Sequence, residues 1–63
     1  MVLKGIVSSA ESSGIRVVFP DKENLVSAPL PAALNIGALD VGNKVVVVFF
    51  SDSLQDGVII AKY

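Results

Sequence analysis

The chain has no cysteine and no histidine among its 63 residues. Without cysteine no disulfide can staple the fold, and a zinc site built from carboxylates alone would be unusual. Without either residue, there is no imidazole or thiol to act as base or nucleophile near neutral pH. Charge of one sign is also scarce: five basic and six acidic residues leave a net charge of −1. The basic residues Lys4, Arg16, Lys22, Lys44 and Lys62 stand singly. Phosphate binding needs such residues clustered, so the pattern argues against nucleic acid as the main partner. No glycine-rich phosphate loop is visible, because Gly37 and Gly42 are isolated and open no helix. The longest apolar stretch falls far short of the ~20 residues that span a bilayer. Met1–Val2–Leu3–Lys4 has neither the basic leader nor the apolar stretch of a signal peptide, which predicts a chain made in the cytoplasm.

What is present is apolar. Hydrophobic residues make up 52% of the chain and the mean hydropathy is +0.70, high for a small soluble monomer. The length predicts one domain, residues 1–63. A domain of this size buries only ~60% of the surface its unfolded chain exposes, so it needs a staple. With disulfides and zinc set aside, oligomerisation is the staple that remains.

The run Lys44–Val45–Val46–Val47–Val48–Phe49–Phe50 sharpens this expectation. A strand points alternate side chains to opposite faces. A run that is apolar throughout therefore has two faces to cover. Val45, Val47 and Phe49 form one set, and Val46, Val48 and Phe50 the other. One set is expected in the core and the other at an oligomer interface; the pattern leaves open which is which. Burying three such side chains per subunit would contribute roughly 4–9 kcal/mol before ordering costs.

Five strand-like runs are separated by turn signals, with almost no helical periodicity. The first is Val2–Ser9, broken at Ala10–Glu11–Ser12–Ser13–Gly14, where Gly14 is free to take positive φ. The second is Ile15–Phe19, with Ile15, Val17 and Phe19 on one face and Arg16 and Val18 on the other. Pro20–Asn24 reads as a polar turn opened by proline. The third is Leu25–Leu30, bounded by Pro29 and Pro31 and so expected at an edge. Pro31–Asp40 reads as a loop or short helical turn. Lys44–Phe50 and Val58–Tyr63 complete the set, joined by the polar loop Ser51–Gly57. The fold class predicted is all-β: a small five-stranded Greek-key barrel, the OB-fold, with the loop or helical turn between strands three and four. An SH3-like barrel competes, but would usually carry a helical turn near its end.

Candidate chemistry is sparse. Asp52 and Asp56 share one loop, yet that loop lacks the alternating oxygen ligands and terminal glutamate of a calcium loop. A solvated turn, with Asp56–Gly57 setting the backbone, explains it better; Asp21 and Glu23 read the same way. Ser8, Ser9, Ser12 and Ser13 read as turn residues whose hydroxyls satisfy local backbone. No catalytic, cofactor or metal site is predicted, and the chain is not read as an enzyme. Single-strand nucleic-acid binders stack bases on exposed aromatics in a basic groove. Here there are Phe19, Phe49, Phe50 and Tyr63 only, with Phe19 expected in the core. A protein-binding module contacting its partner through Pro29–Leu30–Pro31 or the Ser51–Gly57 loop is a further alternative.

An ordered set of motifs carries a resemblance across nearly the whole chain. It comprises Lys4–Gly5–Ile6–Val7, Gly14–Ile15–Arg16–Val17–Val18–Phe19–Pro20–Asp21 and Val26–Ser27–Ala28–Pro29–Leu30–Pro31. Val41–Gly42–Asn43–Lys44–Val45–Val46–Val47–Val48–Phe49 and Asp56–Gly57–Val58–Ile59–Ile60–Ala61 complete it. The set resembles the OB-fold domain of phage baseplate and tail-spike proteins, the baseplate assembly protein V group. It departs from that group at Pro29, often tryptophan there, at Asn43, usually acidic, and at Ala61, usually glycine. The resemblance implies a non-enzymatic structural part of a tail or baseplate spike, without cofactor. It further implies a homotrimer, other tail or baseplate proteins as partners, and a place in the virion after synthesis in the host cytoplasm.

Overall fold

A computed structural model describes residues 1–53 and 55–63. One antiparallel sheet holds β1 (Val2–Glu11), β2 (Gly14–Phe19), β3 (Leu25–Val26), β4 (Lys44–Phe49) and β5 (Gly57–Lys62), in the order β3-β2-β1-β4-β5. The ladder does not close on itself; β3 and β5 are its edge strands.

The β1–β2 hairpin is longer than hydropathy predicts. Ala10 and Glu11, expected in the turn, pair with Ile15 and Gly14. The turn shrinks to Ser12–Ser13, and Gly14 leaves it at φ +139°, a conformation that side chains rarely adopt. Both added residues are exposed, so no alternation marked them as strand. A register shift between Val7 and Ser9 turns the end of β1 relative to its start. Pro20–Lys22 forms a single 3-10 turn, the polar turn expected there.

The third strand is the main correction. The run Leu25–Leu30 was expected to pair throughout, but β3 stops at Val26. At Ser27 the hydroxyl takes over the role of a ladder carbonyl. Ser27 N donates to Val17 O at 2.8 Å, while Ser27 Oγ accepts from Val17 N at 3.1 Å and donates to Ala28 O at 2.7 Å. Pro29 then removes a donor. Contact with β2 resumes at Leu30, whose N–H and carbonyl both pair with Ile15 at 2.9 Å. The chain next reaches the far edge: Ile59 N donates to Pro31 O and Ala33 N to Ile59 O, forming a parallel bridge between Ala32 and Ile59. The remainder, to Asp40, is a loop with turns and no helix.

The start of β4 is pinned to β1 through the Val41–Gly42–Asn43 turn. Gly42 N donates to Val7 O, and Val7 N to Asn43 O, both at 2.9 Å. The core comprises Val7, Val17, Phe19, Leu30, Leu39, Val45, Val47, Phe49 and Ile59. At its centre Phe19 and Phe49 meet edge to face, with centroids 5.7 Å apart at 67°. Two glycines make room for these rings. A Cβ on Gly5 would collide with the Val17 side chain and lie 2.9 Å from Val18 O. One on Gly57 would lie 2.6 Å from the Phe49 ring. Gly57 was expected to shape the preceding turn; it is instead the first residue of β5 and the seat of Phe49.

Candidate functional site

The structure separates the two sets on β4. Val45, Val47 and Phe49 are buried, whereas Val46 and Val48 are half-buried and Phe50 is 69% exposed. The ordinary strand alternation does this, and the register extends the outer set across its neighbours. Val48 lies between Val2 on β1 and Val58 on β5, and Val46 lies between Lys4 and Ala61. On the other side of β1, Ile6 pairs with Val18, and Val18 with Val26. The register shift between Val46 and Val47 leaves Ile60 as an extra residue of β5, and its side chain is 42% exposed. Val2, at 63%, Val48 and Val58 thus form an apolar row across β1, β4 and β5 on the outer face, which also carries the exposed Lys4 and Lys44.

This face has a basic corner. Lys4, Ile6, Lys44 and Tyr63 line a shallow concavity of about 410 Å³ with Gly5, Pro20 and Asp21. Tyr63 N donates to Lys44 O, which places the tyrosine beside the lysine. At the opposite end of the β4–β5 hairpin, beyond Phe50, the connecting loop carries the exposed Asp52 and Asp56.

Asp21, Glu23, Asp52 and Asp56 are all exposed. Among the described residues no three of His, Cys, Asp or Glu group as metal ligands would. Of the turn serines, Ser8 donates to the backbone at Arg16 O, whereas Ser9 and Ser13 donate to the Glu11 carboxylate. Glu11 also forms an exposed ion pair with Arg16 at 3.3 Å. In the Ser51–Gly57 loop, Ser51 and Ser53 accept from the backbone N–H two residues on; Leu54 of that loop lies outside the described residues.

Phe19 and Phe49 are committed to the core, so they offer bases no stacking surface. In the Pro29–Leu30–Pro31 segment Pro31 is exposed. Leu30 is fully buried and its backbone is tied to Ile15.

Val2, Val58 and Ile60 belong to the face but escaped the sequence reading. For Val2 the apolar–polar alternation with Lys4 carried a signal. Ile60 had none, because a register shift inside an all-apolar run leaves no mark on the sequence. No helix among the described residues is long and apolar enough to cross a membrane. Comparison with protein-family models, with curated proteins and with solved structures gives no match.

Proposed function

We propose that this protein is a non-enzymatic structural component that self-assembles through the outer face of β1, β4 and β5. The observation that carries this reading is the apolar outer row of β4, Val46 and Val48, with the exposed Phe50 just past the end of the strand. Monomeric domains rarely leave so continuous a face to water. A standard interface covers ~800 Å² per partner. Against a total accessible surface of 3857 Å², that area corresponds to about a fifth of the molecule's surface.

The OB-fold reading is supported by two features. The order β3-β2-β1-β4 is the order of four Greek-key strands. The parallel Ala32–Ile59 bridge brings the segment after β3 to β5, where a five-stranded barrel would close. Together with the motif resemblance these features support a reading of the protein as an adaptor in a phage or phage-derived tail or baseplate spike. It assembles as a homotrimer and contacts other tail or baseplate proteins in the virion. Light scattering after size exclusion, across a dilution series, tests the central claim. A mass near three subunits is expected. A folded monomer at every concentration overturns self-assembly.

A further inference from the structure

The concavity at the basic corner is assembled from separate parts of the chain. On β1, Lys4 and Ile6 stand two residues apart, so their side chains share one face. Across the β1–β4 ladder Lys4 pairs with Val46 and Ile6 with Lys44. Lys4 and Lys44 are therefore diagonal neighbours on that face, about 7–8 Å apart at the backbone. Tyr63 N donates to Lys44 O and brings the tyrosine to the same corner. The 3-10 turn after β2 adds Pro20 and Asp21. The volume, about 410 Å³, lies within the roughly 300–1,000 Å³ of small-molecule sites. Neither lysine belongs to the ion pair found among the described residues, Arg16–Glu11. Lys62, by contrast, is engaged, its amine donating to Ala38 O at 2.9 Å.

We propose that this concavity binds a small organic carboxylate. Its charge is held between the Lys4 and Lys44 amines, and its apolar body lies over Ile6 and Pro20 beside Tyr63. Two ammonium groups held on neighbouring strands repel one another. A bound carboxylate replaces that repulsion with charge-assisted hydrogen bonds from both amines. The flexible lysine stems let the two amines close on one carboxylate from either side. The ligand's charge and shape follow from the rest of the lining. Asp21 offsets one of the two lysines, so the corner carries one net positive charge, which matches a monoanion better than a multiply charged phosphate. An inorganic ion would also leave the half-buried Ile6 and the exposed Pro20 in water, whereas a ring or branched chain covers them. The assignment does not rest on self-association.

Titration of the isotope-labelled protein, followed by amide NMR shifts, tests this with three probes. Benzoate carries both the charge and the body, benzamide the body without the charge, and inorganic phosphate the charge without the body. Benzoate is expected to bind in the millimolar range, with its largest shifts at Lys4, Gly5, Ile6, Lys44 and Tyr63. Benzamide and phosphate are expected to bind about tenfold more weakly or less. Lys4→Gln and Lys44→Gln change exposed side chains, and each should weaken benzoate about fivefold or more. Asp21→Asn should tighten it about twofold, because a like charge leaves the lining. A urea midpoint confirms the fold of each variant. The absence of shifts at about 50 mM benzoate overturns the inference. So does benzamide or phosphate binding as tightly as benzoate, unchanged affinity in both folded glutamine variants, or weaker binding in Asp21→Asn. Light scattering on the same samples reads the oligomeric state, so this site and self-assembly can fail separately.

Discussion

The two faces of β4 are nearly identical in composition and opposite in fate. Val45, Val47 and Phe49 are enclosed, with Phe49 set against Phe19 and the backbone of Gly57. Val46, Val48 and Phe50 form part of an apolar surface that water still reaches. Hydrophobicity therefore does not say what a side chain is for. What separates the two rows is whether the rest of the chain, notably Leu30 and Leu39 from the long connection, comes round to cover them.

Placing one charge on each row gives the largest contrast. Val47→Lys would bury an ammonium without a partner and should unfold the protein outright, seen as loss of a cooperative urea transition. Val46→Lys should fold normally and lower the molar mass to that of a monomer. If both variants stay folded and assembled, the contrast fails. Gly5→Ala probes the enclosed side by volume alone. The added methyl meets Val17 and Phe19 and should cost about 1–3 kcal/mol in urea, with the oligomeric state unchanged once folded.

Ser27→Ala should cost a comparable ~1–3 kcal/mol, because Val17 N–H loses the hydroxyl it donates to in a buried place. Recovery in Ser27→Thr but not in Ser27→Val would identify the hydroxyl as the cause. Phe50→Ser should have the smallest effect on the fold, within ~0.5 kcal/mol for the dissociated subunit. Its effect should appear in the dissociation constant instead, read from light scattering on dilution.

Much of this architecture was legible in the residues. The apolar runs located all five strands, although the third ends at Val26, four residues before its run does. The pairs Val17 with Phe19 and Arg16 with Val18 fell on the faces that alternation assigned. The failures have one origin. Ala10 and Glu11 join a strand because their partners across the hairpin hold them there, although they are exposed. Ser27 ends β3 because a hydroxyl can stand in for a carbonyl, and this depends on where Val17 lies. Gly57 was legible as a glycine near a turn, yet its role is to admit the ring of Phe49 from the neighbouring strand.

The candidate site divides in the same way. The sequence by itself determined that this is an all-β chain, that no histidine or cysteine chemistry is available, and that β4 must present two apolar faces. Those conclusions need only composition and the two-residue period of a strand. Tertiary structure alone decided which face of β4 is enclosed. It also decided that Val2, Val58 and Ile60 extend the other face, and that Lys4 and Lys44 gather at one corner. The physical reason is that enclosure and proximity depend on register between strands distant in the chain, and an all-apolar run fits either register equally well until its neighbours are in place.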